Sequence, residues 1–178
     1  MNIFIIGYMA SGKTTFGKAL AERLNLPFVD LDDYIEEKEG KSISEIFSEG
    51  GEEGFRALEK ENLRELADSH EKAVIACGGG TPCFHDNMEF LNSRGITVFL
   101  EASTPVLIER LQEANADRPL MAGKSEEEIS RKVLTQLCER LPFYMEAKLK
   151  WHGDDLDTLE NIQSNVESFI SSYPSLFR

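Results

Sequence analysis

Cysteine is scarce in this chain, and the three that occur, Cys77, Cys83 and Cys138, show neither CxxC nor zinc-ligand spacing. That pattern argues against a disulfide framework or a structural zinc site and fits reduced thiols in a cytoplasmic protein. Histidine is equally thin: His70, His85 and His152 stand far apart, with no metal-ligand spacing, and surface positions are expected for all of them. No run of 18 apolar residues exists to form a membrane-spanning helix, and the opening MNIFIIGYM has no basic region ahead of its apolar stretch, so it reads as a strand rather than a signal peptide. Positive charge is in short supply, 19 Lys and Arg against 32 Asp and Glu for a net charge of −13, which argues against nucleic-acid and membrane-surface partners, since both require a basic face. There is no internal repeat, low-complexity tract or interdomain linker. At 178 residues the chain is expected to form one domain spanning 1–178, and a monomer.

What the chain does have begins at Gly7. Residues 7–14 read GYMASGKT, which fits the phosphate-loop pattern GxxxxGK[ST] and directly follows the apolar run Ile3, Phe4, Ile5, Ile6. Glycines let the backbone curl so that consecutive N–H groups face a phosphate, and the helix that follows adds the positive end of its dipole. Ala10, Ser11, Gly12, Lys13, Thr14 and Thr15 are therefore the expected ATP-binding residues, with Lys13 reaching the β/γ-phosphates and the Thr14 hydroxyl ligating Mg²⁺. The negative net charge does not oppose an anionic nucleotide, because with a Debye length of about 8 Å a few convergent cations outweigh distant carboxylates.

Short apolar runs alternate with amphipathic stretches along the chain. Strands are expected near 2–6, 27–30, 73–76 and 96–100, and helices near 13–24, across 31–69, and near 85–94 and 105–113. Runs such as AVIA and ITVFL, apolar throughout and separated by helices, indicate a parallel sheet covered on both faces. Two capping boxes, Ser42 with Glu45 and Ser125 with Glu128, mark helix starts, and in the helix expected over 129–145 residues Ile129, Val133, Leu137, Leu141 and Tyr144 form the core-facing stripe. AKLKWH alternates as an edge strand would, and a last helix is expected near 158–173. Residues 114–124, ANADRPLMAGK, lack periodicity and are expected to form an exposed, mobile segment.

A phosphate loop names a cofactor, not a reaction, so the remaining strand ends carry the weight. The second strand ends in Asp30, Leu31, Asp32, Asp33, placing a DxD pair where α/β sheets put their ligands. One carboxylate could orient Mg²⁺ and the other engage an attacking hydroxyl, or both could simply be acids at a helix start. The third strand ends in Cys77, Gly78, Gly79, Gly80, which either admits a close approach to the backbone or makes a flexible turn. Arg56 and Glu59, at i,i+3 spacing in GEEGFRALE, read in isolation as a surface ion pair.

Taken in order, GYMASGKT, the DLD of 30–32, FRALE at 55–59, GGG at 78–80, RPLMAG from Arg118 and ERLPFY containing Arg140 resemble the shikimate kinase family over residues 3–145. The resemblance implies a P-loop NTPase of α/β class, a three-layer α/β/α fold with a five-stranded parallel sheet like that of nucleoside monophosphate kinases. It implies transfer of the γ-phosphoryl group of ATP to the 3-hydroxyl of shikimate, on the route to chorismate and aromatic amino acids. By the match, Asp32 holds the ring hydroxyls and accepts the proton, Arg56 and Arg140 grip the carboxylate, and Gly79 and Gly80 contact the ring. Glu59 orients Arg56, Asp30 is the metal-side carboxylate, Arg118 is the lid arginine that closes on the phosphates, and Arg110 packs on the adenine face. Lys13, Asp32 and Arg118 are thus the expected catalytic residues. Ala10 departs from the glycine common in such loops, Asp33 adds a third acid beside the pair, and WHGDDLDTLEN matches the family's adenine-side loop only faintly.

Two rivals share the phosphate loop. A gluconate kinase would have no reason to keep Arg56, the glycine turn and Arg140 together, and a non-catalytic ATP-gated module would need neither Asp32 nor Arg118.

Overall fold

The computed structural model describes residues 1–114 and 125–177. The expected lid, apart from Ala114, and Arg118 with it therefore lie outside the described residues. Five strands, β1 (Asn2–Ile6), β2 (Phe28–Asp30), β3 (Val74–Ala76), β4 (Gly95–Glu101) and β5 (Leu149–His152), form one sheet in the order β2-β3-β1-β4-β5, and every pairing is parallel. The half-exposed AKLKWH segment is an edge strand, as its alternation predicts, with Leu149 and Trp151 turned toward the core and Lys150 and His152 outward.

Period-two alternation in β1 sets up the layers. Phe4 and Ile6 face one apolar cluster and Ile3 and Ile5 another, all of them almost without solvent exposure. On the second face, Phe16 and Leu20 of α1 (Lys13–Leu24) meet Val166 and Phe169 of α7 (Leu159–Ser172). The first face is covered by α2 (Leu31–Glu39), α3 (Ile43–Ser69), α4 (Asn87–Arg94), α5 (Thr104–Glu113) and α6 (Glu126–Tyr144). The result is the three-layer α/β/α arrangement with a five-stranded parallel sheet.

Local chemistry sets the helix boundaries. Ser42 with Glu45 and Ser125 with Glu128 make both expected capping boxes, satisfying two orphan N–H groups at the starts of α3 and α6. Within α3, Gly51 takes φ 64° and ψ −170°, so the element is two helices joined at a kink just before Arg56. The stripe along α6 is narrower than its sequence period suggests. Ile129, Val133 and Tyr144 are buried and Leu137 packs against the core, but Leu141 is 39 % exposed, because α6 packs mainly against α5 and the short turn after β3.

Candidate active site

The parallel strands all deliver their carboxyl ends to one side of the sheet, and a cleft of about 440 Å³ opens there beyond β1, β2 and β3. Ala10, Gly12, Lys13, Thr14 and Thr15 line it together with Asp30, Asp32, Gly78, Gly79 and Arg110. Gly12 caps α1 with φ 96°, and a methyl group there would lie 2.7 Å from Leu156 Cδ1, so only glycine fits the turn. Ala10 adopts φ 64°, a left-handed conformation that glycine would occupy without strain. Ser11 is buried beneath the loop, and Lys13 Nζ donates to the Tyr8 carbonyl at 2.8 Å.

The helix-start reading of the DxD pair holds for Asp30. Asp30 caps α2, its Oδ1 accepting from the Asp32 N–H at 3.1 Å, while its Oδ2 accepts from the Thr14 hydroxyl at 2.8 Å. A helix cap therefore doubles as an oxygen pair with Thr14 facing the cleft, the donor type that a hard divalent cation takes. Asp33 is more exposed and sits beside Lys18, outside the cleft lining. Asp32 instead points into the cleft. Burial, reinforced by the charges of Asp30 and Glu59 and opposed by Lys13 and Arg56, pushes its pKa from 3.8 to about 6.

The glycine turn after β3 is where residues distant in sequence meet. A methyl group on Gly78 would lie 3.0 Å from Asp32 Oδ1 and 3.2 Å from Glu59 Oε1, one on Gly79 3.4 Å from Arg140 Nη1, and one on Gly80 2.4 Å from Arg56 Nη2. Gly78 and Gly80 thus leave room for Asp32, Glu59 and Arg56, and Arg56 and Arg140 converge on the same turn. Arg56 is no surface ion pair: it is 8 % exposed, it donates from Nη1 to Glu59 Oε2 at 2.8 Å, and its guanidinium lies 4.0 Å from the Phe84 ring centroid. Its Nε is buried with no hydrogen-bond partner among the described residues.

Arg110 bridges the nucleotide end of the cleft. Its Nη1 donates to the Ala10 carbonyl at 3.3 Å, and its Nη2 donates to the Gly153 and Asp154 carbonyls at 2.9 and 2.7 Å, tying the phosphate loop to the segment after β5. Among the described residues, no group of three or more His, Cys, Asp or Glu side chains could hold a metal ion.

A family model described as shikimate kinase matches residues 9–171 of this chain. The chain belongs to the shikimate kinase family. A shikimate kinase of Bacteroides thetaiotaomicron is 47 % identical over 167 residues, covering 94 % of this chain and 95 % of its own, and one of Phocaeicola vulgatus is 48 % identical over 166 residues, covering 93 % and 94 %. Among solved structures, a shikimate kinase crystal structure from Bacteroides thetaiotaomicron superposes with a TM-score of 0.94 at 45 % identity over 98 % of both chains. A shikimate kinase from Acinetobacter baumannii in complex with shikimate gives a TM-score of 0.82 at 34 % identity, covering 98 % of this chain and 93 % of that one.

Several members of this shikimate kinase site carry no motif of their own. Tyr8, inside the phosphate loop and 1 % exposed, donates to Gln136 Oε1 at 2.6 Å and holds its ring 5.6 Å from the Arg140 guanidinium. Tyr144, expected only as a core residue, is also the donor to the Gly79 carbonyl at 2.5 Å. Burial raises the pKa of both phenols, Tyr8 to about 12, so both remain donors at neutral pH. Thr81 donates from Oγ1 to Glu59 Oε1 at 2.6 Å. The sequence signals were the tyrosines' spacing from the phosphate loop and from Arg140, which acquire meaning only once α6 is folded against the loop.

Proposed function

We propose that this chain transfers the γ-phosphoryl group of ATP to the 3-hydroxyl of shikimate, and that the cleft above is where it does so. One observation carries the reading: the glycine turn opposes Asp32, Arg140 and Arg56 to its three residues in succession, beside the phosphate loop. Two guanidiniums suit a planar carboxylate, which they grip bidentately as lysine cannot. Asp32, with a pKa near 6, is the carboxylate that holds the ring hydroxyl and accepts its proton. The backbone of Gly79 and Gly80 lies against the ring, and Glu59 fixes Arg56.

Ala10 to Thr15 and Lys13 cradle the phosphates, and Arg110 faces the base. The Thr14 hydroxyl and the Asp30 carboxylate are the residues that would hold Mg²⁺, which would supply positive charge beside the phosphates. Arg118 enters from the family resemblance alone, as the arginine that stabilises the charge of the transferring phosphoryl group. The reading takes the chain as one domain, monomeric and cytoplasmic; no described helix is long and apolar enough to cross a membrane.

A coupled ADP-release assay with shikimate, gluconate and nucleoside monophosphates tests the acceptor. Turnover is expected with shikimate; turnover with gluconate alone would overturn the assignment, and tight ATP binding with no turnover on any acceptor would favour a non-catalytic module.

A further inference from the structure

Thr81 opens the short 3-10 turn Thr81–Cys83 that follows the three glycines, and it is completely buried, at 0 % exposure. Its hydroxyl donates to Glu59 Oε1 at 2.6 Å, while the other oxygen of the same carboxylate accepts from Arg56 Nη1 at 2.8 Å. Glu59, 1 % exposed, therefore sits between a neutral donor and a guanidinium. The threonine backbone is itself pinned. Its N–H donates to the Gly78 carbonyl at 3.1 Å, and its carbonyl accepts from Asn87 Nδ2 at 2.9 Å, with Asn87 Oδ1 accepting in turn from Arg64 at 3.0 Å.

A glutamate tethered only through Arg56 can pivot with it, since both side chains carry several soft torsions. A second tether on the opposite oxygen removes that freedom. We infer that Thr81 is a positioning residue of this enzyme: its hydroxyl fixes Glu59 so that Arg56 is presented to the substrate carboxylate. The inference rests on the reading of Arg56 as part of the carboxylate clamp. A threonine that merely fills the core would affect stability and both substrates alike, whereas a positioning threonine acts on one substrate.

The test is steady-state kinetics and nucleotide titration on Thr81→Val, which keeps the shape and removes the hydroxyl, with Thr81→Ala as a second variant in case the first does not fold, Thr81→Ser as rescue, and Arg56→Ala as the control. Thr81→Val and Thr81→Ala should raise the shikimate KM about tenfold, the scale of one lost hydrogen bond to a charged group, with ATP affinity unchanged. Thr81→Ser should restore most of it. An unchanged shikimate KM in the valine and alanine variants, an equal loss for both substrates, or a serine variant as impaired as valine would overturn the inference. If Arg56→Ala leaves the shikimate KM untouched, the clamp reading itself fails and takes this one with it; if Arg56→Ala is impaired and Thr81→Val is not, only the role of Thr81 falls.

Discussion

Asp32 meets two demands that oppose each other. To accept a proton near neutral pH its carboxyl must hold protons more tightly than an exposed acid, and burial together with Asp30 and Glu59 raises its pKa from 3.8 to about 6. The same shift destabilises the fold. Between those two values the native state keeps a proton that the unfolded chain has released, so native stability declines as pH rises through the window and stays lower above it. Asp32→Asn should therefore lower turnover by orders of magnitude while raising the Tm at pH 7.5, by an amount on the order of 2 kcal/mol in stability. In the unaltered enzyme kcat/KM for shikimate should climb with pH through about 6. A variant that loses Tm would contradict the raised pKa, and one that keeps near-normal turnover would remove Asp32 from the chemistry. Individual residues were legible unevenly. The phosphate loop could be read directly, whereas the burial of the Arg56–Glu59 pair, the left-handed Ala10 and the second role of Tyr144 depend on tertiary packing, backbone angles and contacts 65 residues apart.

Elements decide how these groups meet. The glycine turn after β3 works by what it omits, since a side chain on Gly78 or Gly80 would crowd Asp32, Glu59 or Arg56. Gly80→Ala puts a methyl group 2.4 Å from Arg56 Nη2, the movable end of a side chain, so the fold should survive while the guanidinium is displaced. The shikimate KM should rise by about tenfold or more with ATP binding unchanged, a cost of roughly 1.4 kcal/mol; an unaffected KM would mean that Arg56 does not need this approach. From sequence the turn was open to two interpretations, flexible or accommodating, because a glycine run states only that side chains are missing. Its purpose is set by α3 and α6, which arrive from 22 residues before Thr81 and from 65 residues after Gly79. The α6 stripe shows the converse limit: helical period placed Ile129, Val133 and Tyr144 inside, but it cannot say how wide the contact is, and Leu141 stays exposed.

At the scale of the whole molecule, the aromatic packing on the second face of the sheet stands apart from the cleft at the carboxyl ends of the strands. The second-face cluster centres on Phe169, 0 % exposed, whose ring lies 5.5 Å from Phe16, 5.4 Å from Trp151 and 5.3 Å from Tyr173. None of these rings lines the cleft. Phe169→Ala should cost about 3–5 kcal/mol and lower the Tm by roughly 10 °C, with kcat at 25 °C retained; loss of kcat in a still-folded variant would show that the two faces are coupled. The layered α/β/α plan was the most legible part of the sequence, since runs apolar throughout and separated by amphipathic helices leave few other arrangements. The net charge of −13 told less, because an anion site depends on where Lys13, Arg56, Arg110 and Arg140 converge and not on the sum. The central claim is that this convergence seizes a small carboxylic acid next to the phosphate loop. A crystal structure of the chain with shikimate and ADP tests it most directly: the account predicts the shikimate carboxylate within hydrogen-bond distance of both Arg56 and Arg140 with a ring hydroxyl at Asp32, and a carboxylate bound away from either arginine would contradict it.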